Sequence, residues 1–353
     1  MFKTVDLFSG IGGISFALQE LLDVLLYCDI DENAQSVLKS RMSTNDIQKA
    51  PIVSDVREME KIKSIIGLSD VDLMLSSSSC VGFSSAGSRR GLENEETAFM
   101  LDTILLVDQI RPKMVFMENV PGIVKINNGS DLDYLITEMN KLGYDTKWEI
   151  HSASDVGGWH LRKRWFCLCV SKDYNMVQLP VSTRDRYESW GTNIGLDKSK
   201  LYTVGDRQRL RLLGNSVVPD CVRTAFYSLY SYYMNIVFSP FTTGFVASKN
   251  IVIVLDPNKE GIVPSVKKRI RTSKLITVPK TLKCYPTPRS KNITSSSILT
   301  DRCSRDLGTV VKFEMGVEWK KKYIISPVFV EILMGYPRNY TCIDVDESNK
   351  CLV

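Results

Sequence analysis

Only two histidines occur in this 353-residue chain, His151 and His160, and its nine cysteines form no Cys-x-x-Cys pair and no cluster with them. That scarcity argues against a zinc site or any other metal centre and against a disulfide framework, and it fits reduced thiols inside a cell. Long apolar runs are missing too. The most apolar stretch, residues 225–238, is shorter than the ~20 residues a membrane span needs and is interrupted by polar residues, so it reads as a buried helix. No charged leader followed by an apolar core stands at the amino end, and a soluble intracellular protein is expected. Charge of one sign is scarce as well: a formal +5 permits a polyanionic partner without demanding one. No internal repeat is visible. A hydrophobic share of 44% with 24% charged residues excludes wholesale disorder.

What is present begins with alternation. Short apolar runs at Thr4–Phe8 and Val24–Asp29 alternate with helical patterns at Ile14–Leu22 and Glu32–Arg41, and further strands are expected at Val71–Leu75, Met114–Met117, Lys147–His151 and Trp165–Val170. Strands alternating with helices imply parallel pairing through crossovers, which predicts an α/β, doubly wound, Rossmann-like sheet. Polar, irregular sequence fills about 174–205, and Arg207–Tyr233 is helical with a tight turn at Gly214-Asn215. Beyond residue 238 the character changes. Lys267, Lys268, Arg269, Arg271, Lys274, Lys280, Lys283, Arg289 and Lys291 crowd one segment, which reads either as a solvated run or as a nucleic-acid surface. The chain therefore divides into a main domain over 1–238 and a smaller basic lobe over 239–353.

Two segments carry chemistry. Asp6-Leu-Phe-Ser-Gly-Ile-Gly-Gly13 lies between a strand and a helix, where Ser9, Gly10, Ile11, Gly12 and Gly13 bring backbone amides close to a ligand. Asp29 ends the second strand, where a ribose hydroxyl needs an acceptor, and Asp55, beside Val56, stands where an adenine amino group could donate. Each acid alone would serve equally as a helix cap; in sequential order they indicate a nucleoside cofactor. The loop reads Gly-x-Gly-Gly, an incomplete fingerprint for a nicotinamide dinucleotide. The second segment is the loop Leu75-Ser-Ser-Ser-Ser-Cys-Val-Gly-Phe-Ser-Ser-Ala-Gly87, which leaves the carboxyl end of a strand. A Ser/Gly loop is a poor core environment for cysteine, so Cys80 is a candidate nucleophile. Glu118, at the end of the following strand, would face the same cleft.

Taken in order, Asp6–Gly13, the Cys80 loop, Glu118-Asn119-Val120, Arg162-Lys-Arg164 and Gly214-Asn-Ser-Val-Val218 resemble the DNA cytosine-5 methyltransferases over about residues 3–235. Cys80-Val-Gly-Phe-Ser-Ser-Ala-Gly87, Gly158–Trp165, Tyr285–Arg289 and Leu333–Pro337 are similar to the branch carried by large algal DNA viruses, which implies a viral source and a host cytoplasmic or nuclear location. The resemblance implies S-adenosyl-L-methionine as cofactor, held by the glycine loop with Phe8, Asp29, Ile30, Asp55, Val56 and Asn215. It also implies Cys80 as the thiolate that adds to cytosine C6, Glu118 at the ring edge, Arg164 at O2, and Arg162 as a brace of the loop or of a phosphate. Double-stranded DNA with a flipped-out cytosine is the implied partner, contacted by the basic lobe. A monomer is expected, and a companion restriction endonuclease is a further partner that the resemblance implies. Two departures stand out: Ser79 occupies the position of the family's proline, and His160 that of its glutamine. Three other functions stay open: a DNA-binding protein of the same fold without turnover, the RNA-directed branch acting on tRNA, and a nicotinamide oxidoreductase that would leave Cys80 and Glu118 without roles.

Overall fold

The computed structural model describes residues 1–67, 70–78, 99–179, 202–204, 207–234 and 323–343. Its centre is a seven-stranded sheet of β1 (Phe2–Leu7), β2 (Leu22–Cys28), β3 (Ile52–Val53), β4 (Leu73–Ser76), β5 (Met114–Asn119), β6 (Tyr144–Ser152) and β7 (Lys163–Ser171), in the order β3-β2-β1-β4-β5-β7-β6. Strands β3 to β5 pair in parallel, whereas β7 runs antiparallel to both β5 and β6. The strand order reverses between β1 and β4, which opens a crevice at their carboxyl ends.

Helices α1 (Gly13–Leu18), α2 (Glu32–Ser43), α3 (Met59–Ile66), α4 (Phe99–Ile110) and α5 (Ser130–Lys141) connect the strands, and α6 (Arg207–Asn215) and α7 (Pro219–Tyr233) follow the sheet. Side chains alternate across a strand, so each sheet face collects its own core. Strand β7 shows this directly. Phe166, Leu168 and Val170 join Phe116 and Phe226 on one face, while Trp165, Cys167 and Cys169 join Val5, Leu7 and Val115 on the other. Double coverage is why Trp165–Val170 of β7 is an unbroken apolar run.

Each expected strand overlaps an observed one, with Phe8, Asp29 and Val71-Asp72 falling just outside, and the expected turn at Gly214-Asn215 closes α6. The antiparallel β6–β7 pair departs from uniform parallel pairing; only the short connection from Ser152 to Lys163 separates the two strands, too little for a crossover helix.

One segment beyond residue 239 packs on the main domain. A two-stranded sheet pairs β8 (Tyr202–Val204) with β9 (Tyr323–Ile325), and α8 (Pro327–Met334) follows. Phe329, Val330, Leu333, Tyr336 and Tyr340 are all buried in the core of the main domain. Residues 323–343 thus belong to that core, because a segment reading Phe-Val-Glu-Ile-Leu-Met-Gly-Tyr needs apolar cover that a basic lobe could not give. The contact is also polar. Glu331, fully buried, takes Arg209 Nη2 at 2.9 Å, the amide of Thr341 at 2.8 Å and the amide of Asn339 at 2.7 Å. The basic residues 267–291 and most of the 174–205 insert lie outside the described residues.

Candidate active site

The glycine loop owes its shape to three consecutive alternations of handedness. Phe8, Gly10 and Gly12 all have positive φ, of 55°, 54° and 78°. Glycine carries this without strain at 10 and 12, whereas a phenylalanine in that region is uncommon and is held by its surroundings. Those surroundings are visible next door: the Ser9 amide donates to the Cys28 carbonyl at 2.9 Å and its hydroxyl to the Asp6 carbonyl at 2.7 Å, pinning the loop to β2 and β1. A Cβ on Gly12 would stand 3.0 Å from Leu38 Cδ2, and one on Gly13 would meet the Tyr336 hydroxyl and, at 2.7 Å, Val217 Cγ2.

Asp29 completes the loop from the side. One carboxylate oxygen accepts the Gly10 amide at 2.7 Å and the other the Asp31 amide at 2.9 Å. Burial raises its pKa, and those two amides counter part of the rise. Asp6, beneath it, is buried and pushed up to about 7 by desolvation, against a hydrogen bond from the Ser15 hydroxyl at 2.5 Å. Asp55 differs. Arg57 holds it through its amide at 2.9 Å and its guanidinium, and that contact keeps the carboxyl below its usual range.

The second half of the site is built by side chains. Glu118 leaves the end of β5 only 5% exposed. Arg164 Nε donates to its Oε1 at 2.7 Å and the Ser77 hydroxyl to its Oε2 at 2.7 Å, so both oxygens are held. Arg162 is buried, is not part of the cavity lining, and donates to the carbonyls of Gly214 at 3.0 Å and Ser216, which ties down the Asn215 turn. His160 is fully buried between Arg162, whose amide donates to Nδ1 at 3.2 Å, and Leu333, whose carbonyl accepts from Nε2 at 2.9 Å. Desolvation and the Arg162 charge lower its pKa to about 3, so the ring is neutral.

A cavity of about 530 Å³ at the strand-order reversal joins the two halves. Of the residues expected there, Phe8, Ser9, Gly10, Ile11, Gly13, Asp29, Ile30, Asp55, Val56, Asn215, Glu118 and Arg164 line it, while Gly12 and Arg162 support the lining from behind. Cys80 lies outside the described residues, although its loop leaves β4 through Ser77 and Ser78, which do line the cavity. Ser77, Asp31, Arg211 and Val217 line it without having been anticipated. Ser77 was findable as the residue that steps off the carboxyl end of β4. Arg211 stands one helical turn before Asn215 on α6, on the same face. It pairs with Asp31 at 2.5 Å, and nothing local in the sequence announces that contact.

Among the described residues no group of His, Cys, Asp and Glu is placed to hold a metal ion, and no helix is long and apolar enough to cross a membrane. Residues 2–199 match the family model described as C-5 cytosine-specific DNA methylase. The Type II methyltransferase M.CviJI of Paramecium bursaria Chlorella virus IL3A is 34% identical over 230 residues, covering 65% of this chain and 60% of that protein. M.HhaI of Haemophilus parahaemolyticus, also a Type II methyltransferase, is 28% identical over 175 residues, 49% of this chain and 50% of its own. A solved putative DNA modification methyltransferase from an E. coli prophage is 26% identical with a TM-score of 0.41, over 49% of this chain and 47% of that one. The chain thus spans between half and three-fifths of the length of these curated relatives. With more than half of its residues inside the family match, and with a cavity at the strand-order reversal lined by the glycine loop and by Glu118, the chain belongs to the C-5 cytosine-specific DNA methylase family.

Proposed function

We propose that the chain methylates C5 of cytosine in duplex DNA, using S-adenosyl-L-methionine and Cys80 as nucleophile. One observation carries the reading: a buried carboxylate, Glu118, locked to Arg164, stands in the same cavity as the glycine loop and Asp29. The cavity suits the cofactor. Its volume lies within the ~300–1,000 Å³ of small-molecule sites. Phe8, Ile30 and Val56 offer apolar surface for a purine, and each Asp29 oxygen, having accepted one amide, keeps a lone pair for a ribose hydroxyl. Bound there, the sulfonium would supply an electrophilic methyl carbon.

The remaining work falls to the chain's own residues. C5 of cytosine is a weak nucleophile until the Cys80 thiolate adds to C6 and moves an electron pair onto the ring. Negative charge then builds toward N3, where Glu118 can hydrogen-bond or deliver a proton, and Arg164 would hold Glu118 and the O2 edge. Loss of the C5 proton and elimination of the thiolate restore the ring. Attack must come perpendicular to the base, so the cytosine has to leave the helical stack. The basic residues between 267 and 291 would contact the DNA backbone while it does so, and the Type II names of the relatives make a partner nuclease part of the same reading.

Duplex DNA carrying 5-fluorocytosine, incubated with labelled cofactor, tests this. Wild type should form a complex that survives denaturation and Cys80→Ala should not. Methyl incorporation into total tRNA but not duplex DNA would instead assign the RNA-directed activity. Binding of DNA and cofactor with no transfer to either would mark a protein without turnover.

A further inference from the structure

The hydroxyl of Ser77 has no part in the chemistry derived so far, yet it occupies half of the Glu118 carboxylate. Strands β4 and β5 are parallel with Ser76 opposite Met117, so Ser77 and Glu118 step off the sheet side by side. The Ser77 backbone is tied in place: its amide donates to the Leu7 carbonyl at 3.3 Å. Its neighbours are tied as well, since the Ser76 and Thr103 hydroxyls lie 3.1 Å apart and Asn119 Nδ2 donates to the Ser78 carbonyl at 3.4 Å. The serine is therefore delivered to the carboxylate by a rigid support on both sides.

The two partners of Glu118 are not equivalent. Arg164 only donates, so it serves the ionised carboxylate and cannot satisfy an acid proton. A serine hydroxyl donates or accepts by rotating about one bond. It can therefore bond the carboxylate as donor and the carboxylic acid as acceptor.

We propose that Ser77 is a positioning residue for the methyl transfer, holding Oε2 of Glu118 through both of its charge states while Arg164 holds Oε1. The inference rests on the function proposed above. As Glu118 passes its proton to ring N3, the acid O–H bond breaks and the N3–H bond forms. Before transfer the acid O–H rests on the Ser77 oxygen; it then turns to N3 and gives up its proton there, and the Ser77 hydroxyl rotates to donate to the carboxylate left behind, neither gaining nor losing a proton. Rotation of a half-buried serine replaces what would otherwise be loss of a hydrogen bond inside the site.

Steady-state methylation of duplex DNA by wild type, Ser77→Ala, Ser77→Thr, Glu118→Gln and the Ser77→Ala/Glu118→Gln double variant tests the proposal, alongside Cys80→Ala. Cofactor affinity is measured by titration calorimetry. Ser77→Ala should lower kcat by roughly ten- to a hundredfold, the range for a hydrogen bond to a charged group, with KM for DNA and cofactor Kd within about twofold of wild type. Threonine, which keeps the hydroxyl, should restore most of the rate. In the Glu118→Gln background the alanine should cost little more, because the interaction it removes is already changed. Equal losses in both backgrounds, a matching fall in cofactor affinity, or a wild-type rate for Ser77→Ala would overturn the inference and leave the proposed function standing. A wild type that transfers no methyl to cytosine, or an active Cys80→Ala, would overturn the proposed function and this inference with it.

Discussion

The two halves of the cavity are made of different materials. On the β1–β2 side the shape lies in the main chain: three residues of positive φ and two amides donating to Asp29. On the β4–β5–β7 side it lies in side chains, where Glu118, Arg164 and Ser77 hold one another across three strands. The contrast suits the two tasks. A site that only holds a ligand works through fixed amides and close approach, whereas a site that moves protons needs groups whose charge can change. A change of volume should therefore damage the first half selectively, and a change of charge the second.

Arg164→Ala presses hardest on that division. It leaves Glu118 buried without its cation, in a pair whose side chains are only 13% and 6% exposed. Stability should fall by about 3 kcal/mol in urea denaturation and methyl transfer by at least ~10²-fold, with cofactor affinity little changed in calorimetry. An equal loss of cofactor affinity would erase the distinction between the halves. Gly12→Ala makes the reverse incision. At φ +78° with Leu38 Cδ2 3.0 Å from the new Cβ, it should cost about 1–3 kcal/mol and weaken cofactor binding by roughly tenfold, while the maximal rate at saturating cofactor stays near wild type.

Asp6 offers a pH test of the main-chain half. Burial pushes its carboxyl up to about 7 from the ordinary 3.8, so between those values the folded state holds a proton the unfolded chain has released. That contribution is complete below pH 3.8 and is lost as pH rises through about 7. His160 acts in the opposite sense: lowered from 6.5 to about 3, it contributes above pH 6.5 and is lost in acid. The two slopes oppose each other between pH 4 and 6.5, so the measurement is a difference. Asp6→Asn should gain stability relative to wild type as pH rises from about 4 to 7, read from urea midpoints of the cofactor-free protein, and a constant difference would refute the shift. Arg211→Ala should do least. Its pair with Asp31 is 46% and 24% exposed, which limits the stability change to under ~1 kcal/mol and makes any change in cofactor affinity small and salt-dependent.

How much of this was legible in the sequence follows from range. The glycine loop, Asp29 and Glu118 were readable because strand ends and turn residues mark them within a few positions. The apolar run of β7 was readable too, but not its direction, since burial on both faces leaves the same pattern in either orientation. The short β3 passed unnoticed because two residues carry no periodicity. The docking of residues 323–343 was hidden for another reason. Basic composition upstream suggested one continuous lobe, whereas the seat of α8 depends on Arg209 meeting Glu331, a pairing across more than a hundred residues that no local pattern encodes.

The packing of Tyr336 and Tyr340 also bears on the order in which the protein is made. Tyr340 donates to the carbonyl of Ile11 at 3.1 Å and Tyr336 to that of Val217 at 3.0 Å, and both rings lie against Phe16, with centroids 5.0 and 5.9 Å from its own. The glycine loop leaves the ribosome more than three hundred residues before the rings that seat it. A nascent chain halted before Tyr336 would carry all of residues 2–199 and still lack the rings against which Phe16 and the glycine loop pack. The seating of the loop thus waits on a segment of the chain made long after the loop itself.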